Sequence, residues 1–214
     1  MTLTEFDQNI SAQHPALSLV GVDEAGRGPL AGPVVAAACY IPPELYNNPA
    51  LLEINDSKKL TPLKRQKLFK AIQNLPIIYC TGFTTAEEID RINILQATFA
   101  AMRRALAKFE NKNIIALVDG NHKIPNLQHP QQAIIDGDAL SLSIAAASII
   151  AKVTRDNFME IIDKQYPAYS FCSHKGYGTK QHIEALKKYG PCKEHRKTFE
   201  PVASLCFSLF GAEK

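Results

Sequence analysis

Asp23 and Glu24 stand side by side at the end of an apolar run, and Gly26-Arg27-Gly28 follows almost at once. Asp119 and Gly120 close a second apolar run, "IIALVDG", and Asp138 closes a third, "AIIDGD". Three separate elements thus end in an acid near a glycine. Rigid strand ends with free loops beyond them are where sheet proteins build sites. Carboxylates gathered in one place repel each other unless a positive charge sits among them, and oxygen donors of this kind suit Mg²⁺ or Mn²⁺. Two such ions about 3.5–4 Å apart can clamp the attacking and leaving oxygens of a phosphodiester. Any single acid is equally well a solvated loop end or a helix cap, and Asp138 is placed to cap the helix after it. Four acids in this pattern favour one cluster of Asp23, Glu24, Asp119 and Asp138.

The turn beside the first two acids has a competing reading. "GRGPLAG" nearly matches a dinucleotide-binding G-x-G-x-x-G after a strand. However, Gly32 comes one place late, Pro29 interrupts, and "VVAAACYI" reads as strand instead of helix. Two carboxylates just upstream would also repel a pyrophosphate. The turn is better read as backbone that a ligand can approach closely, since glycine has no side chain, with Arg27 adding charge for a phosphate. Further basic groups follow. They are Lys58 in "NDSKKL", Lys152 and Arg155 on one helix face with the hydroxyl of Ser148, Lys175 in "SHKGYGTK", and Arg196 in "HRKTF". Each alone is ordinary solvated surface. Beside an acid cluster they read as phosphate contacts, and Tyr177, between two glycines, as a stacking platform for a sugar or base.

Short apolar runs bounded by turn residues predict strands at Leu17–Val22, Val34–Ile41, Ile77–Phe83, 114–120 and 133–138. Thr61 with Pro62 predicts a helix start. Helical spacing covers 86–110, the long segment 141–166, and 179–191 with Gly190 as its C-cap; Val202–Phe210 reads as a docked terminal helix. The pattern predicts an α/β fold, a mixed five-stranded sheet with helices on both faces. Residues 1–16 read as a loosely held N-terminal extension, and 17–214 as one catalytic domain that includes a C-terminal helical segment.

The 214 residues carry a formal net charge of +3, which permits an acidic partner without requiring one. The five cysteines form no Cys-x-x-Cys pair, as expected of reduced thiols in a cytoplasmic protein. "MTLTEFDQNI" has no signal-peptide pattern, and no apolar run approaches the roughly 20 residues of a membrane span, so no membrane partner is expected.

With these residues in view, the chain resembles bacterial ribonuclease HII. The resemblance rests on "GVDEAGRGPLAGPVVAAA", "NDSKKLT", "EIDRINILQATFAAMRRA", "LVDGN", "GDALSLSIAAASIIAKVTRD", "HKGYGTKQH" and "HRKTFEPV", in family order over most of 19–202. It implies a ribonuclease H-like fold and a Mg²⁺- or Mn²⁺-dependent endonuclease that acts as a monomer. The implied substrates are the RNA strand of RNA/DNA hybrids and single ribonucleotides embedded in duplex DNA. By the same resemblance Asp23, Glu24, Asp119 and Asp138 hold metal, and Gly26, Arg27 and Gly28 recognise the 2′-hydroxyl at the RNA–DNA junction that Tyr177 senses. Two positions depart from the family pattern. Asp136 stands where Lys or a neutral residue is common, and Leu140 where a basic residue is common. The related ribonuclease HIII carries an extra N-terminal domain, for which 16 leading residues are too few. A non-catalytic nucleic-acid-binding module is the alternative of a different class, and the presence of all four acids argues against it.

Overall fold

The computed structural model describes residues 1–54 and 60–210, so Lys58 lies outside the described residues. Five strands form one sheet in the order β3-β2-β1-β4-β5, with β1 at Ser18–Ala25, β2 at Val34–Tyr40, β3 at Ile78–Thr84, β4 at Ile114–Asp119 and β5 at Gln131–Ile134. The first three pair antiparallel, and β4 and β5 run parallel to β1. A mixed sheet of this kind needs cover on both faces, and most residues of β1 and β2 are buried.

The helices supply that cover. They are α1 (Leu3–Gln13), α2 (Pro62–Gln73), α3 (Ala86–Ile92), α4 (Ile94–Leu106), α5 (Leu142–Gln165), α6 (Phe171–His174), α7 (Lys180–Tyr189) and α8 (Val202–Phe210). On one face α3 and α4 pack Ile89, Ala97, Ala101 and Ala105 against Val20, Val22, Ala36 and Ala38. On the other, α2 and α5 pack Leu68, Ile72, Ala146 and Ile150 against Ala37 and Cys39. A third, smaller core joins Leu30 and Ala31 to Met159, Phe171, Leu186 and Val202, and seats the C-terminal helices beside the sheet. Helix α5 lies almost on the backbone of β1: a Cβ at Gly21 would fall 2.2 Å from the Ser143 carbonyl carbon.

Four local expectations are revised. The helical span 86–110 is broken at Asn93, whose backbone has φ 65° and whose side chain accepts the amides of Leu95 and Gln96. It thereby ends α3 and caps α4. The strand expected at 133–138 lies earlier, at Gln131–Ile134. Beyond it Asp136 turns left-handed at φ 53°, and Gly137–Ala139 forms one 3₁₀ turn. The cap of α5 is Ser141, not Asp138, its side chain accepting the Ile144 amide at 3.2 Å.

The N-terminal segment is not loose. Thr2 and Glu5 form a reciprocal capping box that starts α1. From that helix the buried Asp7 reaches α5, accepting the Ser143 amide at 2.9 Å and the Ser143 hydroxyl at 2.8 Å. It thus satisfies an amide that α5 cannot pair internally. Asp7→Ala is expected to leave that buried amide unpaired and to lower unfolding free energy by about 1–3 kcal/mol. Denaturant titration reads the change, and an unaltered midpoint would show that α1 does not anchor α5.

Candidate active site

Parallel pairing of β1 with β4 sets Val22 opposite Val118, so the next residues, Asp23 and Asp119, lie side by side near the strand ends. Side chains alternate along a strand. Asp23 therefore points to the α5 face, as Gly21 does, and takes a hydrogen bond from the Ser148 hydroxyl. Its Oδ1 also accepts the Glu24 amide at 2.6 Å. Glu24 points the other way, into a cleft floored by Leu95, Phe99 and Met102 and shared with Asp119 and Gly120. Asp138 is buried and comes from the turn after β5. That turn is tied to Asp119, whose Oδ1 accepts the Gly137 amide at 2.8 Å and the Asp138 amide at 3.4 Å. The sheet and one backbone turn thus bring all four acids to one edge.

Burial raises the Asp23 carboxyl well above the usual carboxylate range. The charges of Glu24 and then Asp119 push it further, and hydrogen bonds from Ser148 and the Glu24 amide offset only part of this. Among the described residues no three Asp, Glu, His or Cys side chains already close into a cage for a cation. The donor set nevertheless fits a hard divalent ion. Its oxygens are carboxylate, it sits at the mouth of a cleft, and its most buried member lies among like charges that a cation would neutralise.

A second cleft meets the first at Glu24. It is lined by Gly26, Arg27, Gly28, Arg65, Ser148, Lys152 and Tyr177. Arg27 is half exposed and folds back on Glu24, Nη1 to Oε1 at 3.4 Å. Lys152 pairs with Asp156 at 2.7 Å. Arg65, which sequence reasoning missed, enters from α2, donating to the Leu60 carbonyl and facing Asp156 at 3.7 Å. Only the α2–α5 packing brings it here; no local pattern marks it. Tyr177 is exposed at the rim.

Three expected phosphate contacts face elsewhere. Arg196 is fully buried and its guanidinium donates to the carbonyls of Gly26, Arg27 and Gly32. Arg155 is likewise buried, donating to Ala31, Pro33 and Lys175. The Lys175 ammonium is drawn to Glu160 at 2.8 Å, away from the cleft. The glycines also divide. A Cβ at Gly26 would collide with Arg155 Nε at 2.0 Å, so this glycine serves internal packing. Gly28 meets only Tyr177 Cε1 at 3.8 Å and presents open backbone to the cleft. Asp136 and Leu140 are both exposed on the turn that carries Asp138.

The ribonuclease HII family model matches residues 20–202, which hold all four acids and the residues lining both clefts. The chain belongs to the ribonuclease HII family. It is 53% identical over 184 residues to the ribonuclease HII of Endomicrobium trichonymphae, covering 86% of each chain. It is also 53% identical over 201 residues to that of Geotalea daltonii, covering 94% of this chain and 90% of the relative. Among solved structures, the ribonuclease H2 of Pyrococcus horikoshii superposes with a TM-score of 0.69 at 29% identity, over 88% of this chain and 97% of that one. The fold is the ribonuclease H-like fold, and the activity is that of a type 2 ribonuclease H, an endoribonuclease acting on RNA/DNA hybrids.

The buried acid has a consequence for a ribonuclease HII free of metal. Unfolded, Asp23 releases its proton near an ordinary value of about 4. Folded, it holds the proton to higher pH, so stability falls as pH rises from that ordinary value to the raised one. Asp23→Asn is expected to raise the melting temperature of chelator-treated protein at neutral pH, and the gain should shrink as pH approaches 4. Melting curves at several pH values check this, and a gain independent of pH would contradict it.

Proposed function

We propose that this ribonuclease HII incises duplex DNA at single embedded ribonucleotides as well as cutting the RNA strand of hybrids. In this reading Asp23, Glu24, Asp119 and Asp138 hold Mg²⁺ or Mn²⁺, and the Gly26–Gly28 turn reads the 2′-hydroxyl. The observation that supports it most is one shared cleft. Glu24, the open backbone at Gly28 and the exposed ring of Tyr177 all line it.

Asp23, Glu24, Asp119 and Asp138 would hold the divalent cations, which would supply an activated water and counter-charge for a leaving 3′-oxygen, as 5′-phosphate and 3′-hydroxyl ends require. The chain's own residues do the rest. Asp119 is oriented by the Gly137 amide, and Asp23 by the Glu24 amide and Ser148. These bonds fix the acids before a ligand arrives and reduce the reorganisation left for the reaction. Gly28 lets a ribose approach the backbone, where a 2′-hydroxyl distinguishes RNA from DNA. Tyr177 offers a face for the neighbouring sugar, and Lys152 and Arg65 place positive charge along the phosphate path. The proposed reading takes the protein as a monomer. The five free thiols are in keeping with the reducing cytoplasm.

The test is a DNA duplex carrying one ribonucleotide, compared with a continuous hybrid, each with Mg²⁺ and with Mn²⁺. Incision at the single ribonucleotide with either metal is expected, leaving the stated ends, and an all-DNA duplex should stay intact. Asp119→Asn should lower the rate at least about a hundredfold on both substrates. Tyr177→Ala should lose about 1–3 kcal/mol of stacking, roughly ten- to a hundredfold in kcat/KM, chiefly on the single-ribonucleotide duplex. Cleavage of hybrids alone, or a near-normal rate for Asp119→Asn, would contradict the reading.

A further inference from the structure

Two arginines that face no ligand lie directly beneath the turn. Arg196 is completely buried, and its Nη1 reaches the Arg27 carbonyl at 2.7 Å. Its Nη2 reaches Gly26 at 2.5 Å and Gly32 at 2.9 Å, and its Nε reaches Gly32 at 3.1 Å. Arg155, from α5, donates Nε to Pro33 at 3.0 Å, Nη2 to Ala31 at 3.1 Å and Nη1 to Lys175 at 2.9 Å. Together the two forks hold the 26–33 loop at both ends and join it to the segment carrying Tyr177. Backbone bonds run alongside: the Leu30 amide donates to Gly176, the Gly32 amide to Glu194, and the Arg196 amide to Leu30.

This is a costly way to hold a loop. Among the described residues neither guanidinium is in a salt bridge; two like charges are buried with carbonyl oxygens as their hydrogen-bond acceptors, and Arg196 also lies 5.0 Å over the Phe199 ring. Burial draws both below their ordinary values, Arg155 to about 10 and Arg196 to about 9, where the charge of Arg155 adds to the effect. The loop is built around them. Gly26 at φ 97° leaves room for Arg155 Nε, and Gly32 at φ 84° leaves room for the Met159 sulfur, which a Cβ there would meet at 2.4 Å. Glycines that admit a guanidinium also make a turn that would wander if unheld. A planar guanidinium donates several hydrogen bonds in fixed directions, and a lysine ammonium cannot reproduce that fork.

We infer that Arg155 and Arg196 are positioning residues, a buried guanidinium pair that fixes the Gly26–Gly28 turn relative to Tyr177 and so sets how accurately one ribose is read. The inference rests on the ribose-reading role proposed for the turn. Its consequence is selective. A continuous hybrid offers a ribose in every register, so a loosened turn still finds a productive one. A single ribonucleotide offers one register only, and displacement of about 1 Å at a reacting centre costs up to a hundredfold.

The experiment measures kcat and KM for wild type, Arg196→Lys, Arg155→Lys and Gly28→Ala on the single-ribonucleotide duplex and on the continuous hybrid. The expected result for both arginine variants is a fall of about tenfold or more in the ratio of kcat/KM on the first substrate to that on the second. A variant that is only less folded loses active molecules, which lowers both substrates equally and leaves the ratio unchanged. An unchanged ratio in the arginine variants, with the ratio altered by Gly28→Ala, overturns the positioning role and leaves the ribose reading standing. A ratio unmoved by Gly28→Ala as well overturns both. Should Arg196→Lys fail to fold, as judged by circular dichroism, Arg155→Lys decides the matter, because it also ties the carbonyl of Lys175, two residues before Tyr177.

Discussion

Asp23 brings a carboxylate to the end of the central strand, where little water reaches it and where Glu24 and Asp119 add their own negative charge. Much of the surrounding architecture serves to keep that unfavourable grouping in place. Parallel pairing of β1 with β4 sets Asp119 beside it, and the Gly137 and Asp138 amides tie the turn after β5 to Asp119. Behind the strand, α5 presses so close that only glycine fits at position 21, which brings the Ser148 hydroxyl to the acid. Asp7 of α1 secures the start of α5 in turn. In the proposed reading a divalent cation at these acids would relieve the repulsion that raises Asp23, so scaffold stability and metal binding would be linked.

Buried positive charge is handled in the opposite manner. Arg155 and Arg196 lie within the same region, yet their charge is met by backbone carbonyls and not by the acid cluster. The site therefore has two parts with different physical states. The acid edge gathers like charges, with Asp23 and Asp119 held by backbone amides. The turn beside it is hydrogen-bonded from beneath and presents bare backbone outward at Gly28. An edge of the first kind binds what is positive and exchangeable; a surface of the second kind reads shape. Chemistry that depends on a cation and selectivity that depends on a hydroxyl group call for that pairing.

Asp23 and Asp119 could be placed from the sequence because each closes an apolar run that forms a strand, a local feature, whereas Asp138 lies in the 3₁₀ turn beyond β5. The five strands were legible for the same reason, with the fifth displaced because its last hydrogen bonds go to Asp119 and Gly120 instead of continuing a ladder. The two arginines were misread. A basic residue looks the same in the sequence whether it meets solvent or a buried row of carbonyls, and only the packing of α5 and the C-terminal segment against the 26–33 loop separates the cases. Arg65 was missed because its place depends on how α2 lies against α5. The break at Asn93 carries neither glycine nor proline to announce it. The helix at the N-terminus did carry a local signal, Thr2 three residues before Glu5, but its anchor, Asp7 on Ser143, spans 136 residues of chain.

The central claim is that the four acids form a destabilised cluster that a divalent cation completes. Thermal unfolding of the wild-type protein and of Asp23→Asn, each titrated with Mn²⁺ and with Mg²⁺ in the absence of nucleic acid, tests it most directly. A ligand that binds only the folded state adds about 2.7 kcal/mol at a hundred times its dissociation constant. The wild-type midpoint should therefore climb steadily with cation, from a lower starting value than that of Asp23→Asn, while the variant should respond weakly. Equal shifts in the two proteins, or no shift in the wild type at millimolar cation, would contradict the account.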